Sequence, residues 1–167
     1  SALERLGVEH LRREQYEPAN EALDRAVKVN PNGAASQYAL GVSQFHLRRL
    51  AAVVESLQRS LQLAPGSPNA AFAHFYLGLS LWKLGKPAAA EPHLKKACEL
   101  GGNSMPPDIH LHLAKHYSDT TRFREAADEL ELFLKLAPDA RDADNIRELA
   151  RRLRTKAQTS NGLMPLS

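Results

Sequence analysis

The sequence has one cysteine, no long apolar run and no recognisable targeting segment. Cys98 is the single cysteine among 167 residues, which excludes a disulfide within the chain and a metal site built on cysteines. No apolar run approaches the length of a membrane span, and nothing near Ser1 resembles a signal peptide. These absences favour a soluble, cytoplasmic chain. The abrupt start at Ser1 leads us to expect an excised part of a longer protein.

Strong charge of one sign is also missing from most of the chain. The formal net charge is +3, and residues 141–157 account for it with six Lys or Arg against three acids. Such a basic segment can contact phosphate or an acidic partner, but a solvated polar face is the commoner reason for it. Nucleic acid is therefore not expected as a partner.

Residue patterns that carry catalysis are missing as well. The chain has no glycine-rich phosphate loop and no nucleophile elbow, and no spacing assembles its Ser, His and Asp residues. His112 and His116 share a helical face, as zinc ligands do, but Leu113 stands where a catalytic glutamate would and no third ligand is evident. We therefore predict no enzyme activity, no catalytic residue, no metal ion and no cofactor.

The sequence does contain a repeated pattern of about 34 residues. Gly7, Gly41 and Gly78 are 34 and 37 residues apart, and Ala114 follows after 36 more. Each unit continues with a small residue, a leucine and, in three units, a terminal proline. These landmarks are Ala19, Val53, Ala90 and Ala126; Leu23, Leu57, Leu94 and Leu130; and Pro31, Pro65 and Pro138. A unit of this length and pattern resembles the tetratricopeptide repeat.

The resemblance implies an all-α fold, a right-handed α-solenoid of helix–turn–helix repeats. The predicted domain covers 1–157, with repeats at about 1–34, 34–67, 71–104 and 107–140, a capping helix at 141–157 and a non-helical tail at 158–167. The predicted helices are 2–13, 17–29, 34–47, 51–63, 70–84, 88–100, 107–119, 123–136 and 141–157. In each repeat the glycine or alanine of the first helix is expected to face the small residue of the second, because backbones approach closely only there.

Residues 71–85 contain four large aromatic side chains and form two apolar faces. In tetratricopeptide arrays the first helices line a concave surface, so one face is expected in a peptide-binding groove. Carried over by repeat position, the groove residues are Tyr38, Val42, Phe45, His46, Phe72, Phe75, Leu79, Trp82, Lys83, Leu111 and Lys115. An exposed aromatic patch of this size implies a partner. The alternative, in which these rings are buried in the core between repeats, stays open.

The resemblance implies a protein–protein interaction module that binds an extended or helical apolar protein segment in its groove. The clamp that holds chaperone carboxyl termini in the best-known members is missing, because Glu4, Val8, Ala39, Phe72 and Tyr76 stand at its positions. The alternative is a regulatory or assembly arm of a larger enzyme or secretion complex, which docks through convex or end surfaces. Residues 163–166, Leu-Met-Pro-Leu, could occupy the groove of a neighbouring molecule, which predicts tail-mediated self-association.

Overall fold

The computed structural model describes residues 1–161, which form nine α-helices, one short 3₁₀-helix and no β-strand. The helices are α1 Ala2–Arg12, α2 Tyr16–Val29, α3 Ala34–His46, α4 Leu50–Leu63, α5 Ala70–Lys83, α6 Pro87–Gly101, α7 Asp108–Asp119, α8 Phe123–Leu136 and α9 Ala143–Asn161, and the 3₁₀-helix is Gly102–Ser104. The first eight α-helices begin and end within one residue of their predicted bounds. Within this described part, no helix is both long enough and apolar enough to cross a membrane.

The chain divides into two compact units, residues 1–102 and a unit that begins at Asn103. In the first unit each helix from α1 to α6 packs on the next, and the first helices of neighbouring repeats also touch, α1 with α3 and α3 with α5. In the second unit α7 packs on α8 and α8 on α9. The first unit thus consists of three helix–turn–helix pairs and the second of one pair followed by α9, and the all-α class is confirmed. The division of residues 1–157 into one domain of four repeats stays a prediction.

The glycine of each first helix in the first unit lies under a leucine from the second helix of the same repeat. A Cβ atom at Gly78 would lie 2.6 Å from Cδ2 and 2.8 Å from Cγ of Leu94, and the two preceding repeats show the same pairing. Leu94 is 0% exposed. The nearest neighbour of Gly78 is therefore Leu94 and not Ala90, which the sequence pattern predicts, because the missing side chain makes room for a branched one.

All four first helices end in the same turn. The residue two positions after each helix has a positive φ: Glu14 57°, Arg48 60°, Gly85 75° and Thr121 61°. In the third repeat, the amide of Lys86 donates to the carbonyl of Leu81 at 2.9 Å, and the other three turns repeat this bond. This is a Schellman motif, in which glycine is favoured because side chains are strained at positive φ. Only one of the four turns has glycine there, so the other three carry a strained side chain.

The last helix extends further than predicted. It spans Ala143–Asn161 instead of 141–157, so residues 158–161 are helical and the prediction of a non-helical tail from 158 was wrong for them. The hydroxyl of Thr159 donates to the carbonyl of Lys156 at 3.0 Å and to that of Thr155 at 3.3 Å. Polar residues thus bond to the preceding turn and continue the helix. The predicted tail contact of residues 163–166 lies outside the described residues.

Packing and ion pairs hold α9 on α8. Ala143, Ala150, Leu153 and Ala157 recur at helical spacing and are buried. Arg154 donates to Asp128 at 2.5 Å and to Glu131 at 2.7 Å. Both acids lie on α8, so the guanidinium joins the two helices.

Candidate functional site

The predicted groove residues lie on three helices, and those on α3 and α5 belong to the first unit. They recur at intervals of three and four residues along each helix, so they share one side of it. Because α3 contacts α5, the two sides adjoin. We call this region the first-helix surface, formed by Tyr38, Val42, Phe45, His46, Phe72, Phe75, Leu79, Trp82 and Lys83.

Most side chains of the first-helix surface are half-buried. His46 and Lys83 are exposed, whereas Phe75 is only 9% exposed. The ring of Phe75 therefore packs mainly inside the unit, while the other rings keep part of their area open to solvent. The structure divides the aromatic face between core and surface.

Five rings touch one another in a continuous chain across the first unit. The ring of Tyr16 stacks on that of His46, with centroids 4.2 Å apart and planes 9° apart, and His46 meets Phe45 edge-on at 5.9 Å. Phe45 then contacts Tyr76 at 4.9 Å, and Tyr76 contacts Phe75 at 5.3 Å. The three contacts from His46 to Phe75 lie in the range that aromatic pairs favour, and the stack of Tyr16 on His46 is slightly closer. Each ring of the cluster therefore contacts at least one other ring.

Two members of this ring chain, Tyr16 and Tyr76, were absent from the predicted groove. Tyr76 stands at the position in its repeat that Ala39 has in the preceding repeat, on a first helix. Comparing these two positions could have identified Tyr76 from the sequence. Tyr16 begins α2, which is a second helix, so no rule about first helices selects it. Only its stacking on His46 reveals its place in the cluster.

The hydroxyls of Tyr38 and Tyr76 stay protonated at physiological pH. Burial, with a smaller effect from Tyr76, raises the pKa of Tyr38 to about 12. Burial and then Tyr16 raise the pKa of Tyr76 above its ordinary value. Among residues 1–161, the hydroxyls of Tyr16, Tyr38 and Tyr76 make no hydrogen bond. The hydroxyls of Tyr38 and Tyr76 are therefore available as neutral donors.

A pocket of about 250 Å³ opens beside the ring chain. Phe45 and Leu50 supply apolar walls, and His46, Arg48 and Lys83 supply polar ones. The turn after α3 places Arg48 there, and the end of α5 places Lys83. All five residues belong to the first unit.

The remaining predicted groove residues, Leu111 and Lys115, lie on α7 in the second unit. They line a separate pocket of about 410 Å³, together with Ile146, Leu149 and Leu153 of α9. Lys115 forms an ion pair with Asp119 at 2.9 Å, four residues along the same helix. This second pocket therefore has apolar walls and a cation that is already neutralised.

Two histidines join first and second helices at the same place in successive repeats. The Nδ1 atoms of His74 and His93 lie 2.9 Å apart, so one ring donates a hydrogen bond to the other. One repeat later, His110 donates to Glu129 at 2.6 Å, and both side chains are largely buried. Burial, His93 and Lys96 lower the pKa of His74, and burial lowers that of His93. Both pairs connect helices within a repeat, which is a structural use of the imidazole.

Within residues 1–161, no group of three or more His, Cys, Asp or Glu side chains could hold a metal ion. His116 is buried and His112 is half-buried, on the same helix. The chemistry that the first-helix surface and its pocket offer is apolar contact, hydrogen-bond donation and positive charge.

Comparison with sequence families identifies repeats in the first unit. Residues 4–68 match one model described as tetratricopeptide repeat, and residues 73–100 match a second model with the same description. Together the matches cover more than half of the chain. The sequence has no match among curated proteins.

Solved structures of the same fold cover nearly the whole chain. A crystal structure of MamA protein has 18% identity and a TM-score of 0.72, and covers 99% of this chain and 97% of that one. YrrB, a TPR protein with an unusual peptide-binding site, has 20% identity and a TM-score of 0.72, over 93% of this chain and 82% of that one. A structure of the APC/C hetero-tetramer Cut9-Hcn1 has 22% identity and a TM-score of 0.70, over 89% of this chain and 29% of that one. At these identities the similarity establishes the fold, and it confirms the predicted α-solenoid class.

Proposed function

Because the chain belongs to the tetratricopeptide repeat family, we propose that it is a non-enzymatic interaction module that binds an apolar protein segment, extended or helical. The proposed contact is the first-helix surface of the first unit, in which Phe75 is the most buried of the rings. The single observation that carries the proposal is the chain of rings from Tyr16 to Phe75, in which each ring contacts the next and part of the area is open to solvent.

Aromatic residues in such a position are suited to binding. They bury large areas at a small cost in side-chain entropy, and interface hot spots are enriched in Trp and Tyr. The ring contacts fix Phe45 and Tyr76 before a partner arrives, which lowers the ordering cost of association. The unpaired hydroxyls of Tyr38 and Tyr76 can donate to backbone carbonyls of the bound segment.

The similarity to YrrB supports this class of function, since YrrB is a TPR protein with a peptide-binding site and shares the fold. The missing carboxylate clamp argues that the bound segment is not recognised as the chaperone carboxyl termini are. We include Leu111 and Lys115 in the proposal as a separate contact of the second unit, through the pocket that α9 completes.

Selection from a random 12-residue peptide library, with the intact chain as bait, tests the proposal. Synthetic versions of selected peptides, with both termini blocked, are then titrated against the wild type. Trp82 is the only tryptophan, so its emission reports binding at the first-helix surface directly. Tyr76→Ala and Leu79→Ala should each weaken binding by about tenfold or more, the loss typical of an interface hot spot.

The matched control is Leu100→Ala, which truncates a side chain that is 48% exposed on the second helix α6. Its affinity should equal that of the wild type. Selected peptides that bind Tyr76→Ala and Leu79→Ala at full strength would contradict the proposal. Loss of binding in Leu100→Ala alone would instead favour the alternative of a regulatory or assembly arm that docks through convex or end surfaces.

A further inference from the structure

We propose that the pocket between Arg48 and Lys83 binds the carboxylate side chain of an aspartate or glutamate that adjoins a large apolar residue in the partner segment. This inference rests on the proposed function and specifies the partner: an apolar segment that carries a negative charge. The pocket lining matches both features of such a segment: Phe45 and Leu50 are apolar, and Arg48 and Lys83 are cationic.

The two cations of the pocket are not neutralised by the protein. Among the described residues neither Arg48 nor Lys83 makes an ion pair or a side-chain hydrogen bond. The adjacent Arg49 differs, because its guanidinium donates to both oxygens of Glu17, at 3.0 and 3.2 Å. The carboxylate of Glu17 is therefore already paired with Arg49, and the charges of Arg48 and Lys83 are available to a partner.

The surrounding sequence contains almost no negative charge. Glu55 is the only acid in residues 25–90, which include α3, α4 and α5 and carry Arg48, Lys83 and other bases. Glu55 lies five residues after Leu50 on α4, which turns it about 140° around the helix from the side that lines the pocket. The acid near the pocket is thus Glu17, which Arg49 already pairs, so an approaching carboxylate meets the unpaired charges of Arg48 and Lys83.

Hydrogen bonding favours the same ligand. The guanidinium of Arg48 offers five N–H donors, and the ammonium of Lys83 offers three. A surface rich in donors and poor in anionic acceptors is complementary to a carboxylate, whose two oxygens only accept. The apolar walls strengthen such bonds because they exclude water from one side of the pocket.

The volume is adequate for a side chain. At about 30 Å³ for each water in the liquid, 250 Å³ can hold the carboxylate of an aspartate or glutamate with its methylene groups. The neighbouring ring chain then lies where an adjacent apolar residue of the segment would bind.

The test uses a library displayed at the amino terminus of the phage coat protein, so that no peptide has a free carboxyl terminus. Peptides selected by the wild type should contain more Asp and Glu than Lys and Arg. Replacing their acid by the amide, Asp→Asn or Glu→Gln, should weaken binding about tenfold, as expected for one charge-assisted hydrogen bond. Affinity should also fall with added salt.

Charge reversal in the protein gives the reciprocal measurement. Arg48→Glu with Lys83→Glu should weaken binding of acidic peptides at least about tenfold and should strengthen binding of the same peptides with Lys in place of the acid. The matched control is Arg25→Glu with Lys95→Glu, which changes the net charge equally at exposed positions of α2 and α6 that make no ion pair in residues 1–161. The control should retain wild-type affinity.

A second variant guards against a misfolded double mutant. Arg48→Gly removes the cation at a position of positive φ that suits glycine, and Glu14→Gly makes the same backbone change in the equivalent turn of the first repeat. Binding should fall only in Arg48→Gly.

Three results would overturn the inference: acid-free peptides that bind as tightly as acidic ones, equal losses in the pocket and control reversals, or full binding in Arg48→Gly. A peptide with the chain's own Leu-Met-Pro-Leu sequence is one such acid-free probe. If Tyr76→Ala still weakens those acid-free peptides, the proposed function stands and only the carboxylate preference fails.

Discussion

Substitution of Gly78 by alanine tests how the two helices of the third repeat are packed. The new Cβ atom would lie 2.6 Å from Cδ2 and 2.8 Å from Cγ of Leu94, whereas ordinary contacts start at 3.4 Å. The backbone nitrogen of Leu94 would be 3.3 Å away, which limits how far the leucine can retreat. Since Leu94 is 0% exposed, any movement must be taken up by the core around it.

The expected magnitude is the difference between two effects. Overpacking of a close-packed core costs about 1–3 kcal/mol. Replacing a glycine inside a helix by alanine returns about 1 kcal/mol of backbone stability. Gly78→Ala should therefore lower the free energy of unfolding by about 1 kcal/mol, although Gly→Ala in an uncrowded helix would raise it.

A double-mutant cycle separates the two effects. Leu94→Ala alone removes a buried leucine and should cost about 2–5 kcal/mol. In that background the added methyl group of Gly78→Ala no longer meets a side chain, so it should stabilise the helix by about 1 kcal/mol. The two substitutions should therefore be coupled by about 1–3 kcal/mol, with the double mutant more stable than additivity allows.

Urea denaturation followed by the emission of Trp82 is a suitable assay, because Trp82 lies one helical turn after Gly78 on α5. Gly66→Ala is the control: nothing lies within 4 Å of the position that its new methyl group would take, so no core clash is expected. A coupling energy within about 0.5 kcal/mol of zero would refute the contact between Gly78 and Leu94.

Three further outcomes follow from the described contacts. His74 and His93 have pKa values below the ordinary value of about 6.5, so the unfolded chain binds protons more readily than the folded chain. The free energy of unfolding should therefore be constant above about pH 6.5 and should fall as the pH is lowered further. In urea titrations between pH 7 and 5, His93→Leu should make this fall smaller. Thr121→Gly removes a side chain that is strained at φ 61°. The free energy of unfolding should rise by up to about 1 kcal/mol, which a higher melting temperature would show. Arg154→Met removes the bonds to two carboxylates on α8 and should cost about 1 kcal/mol or less, an effect that should shrink in 1 M NaCl; an equal cost at both salt concentrations would assign it to packing.

The helices were predictable because their signals are local. Apolar residues at intervals of three and four, together with glycine and proline at the ends, gave α1 to α8 within one residue. The end of α9 was not predictable in this way. Thr159 lies near the end of that helix with its hydroxyl bonded back to Lys156, and a threonine gives no sign in the sequence of whether it will do so or form a turn.

The site was predictable only by its helices, since side-chain burial depends on what packs across from them. A helical wheel places Phe75 and Tyr76 100° apart and predicts nothing about which of them is covered. In the structure Phe75 is almost buried, while Tyr76 links it to Phe45 at the surface. The stacking of Tyr16 on His46 joins residues 30 positions apart and depends on how α2 approaches α3, which no local pattern encodes.

The four equivalent turns separate what the backbone requires from what a single side chain adds. Glu14, Arg48, Gly85 and Thr121 have the same left-handed backbone and the same returning hydrogen bond, although their charges and sizes differ. The conformation is therefore a property of the repeat, and the strain at Arg48 is not by itself a sign of function. What distinguishes Arg48 is its unpaired guanidinium beside Phe45 and Leu50. Because glycine is compatible with the turn, Arg48→Gly and Glu14→Gly change the backbone alike and the charge oppositely, so a difference between them in binding can come only from the side chain.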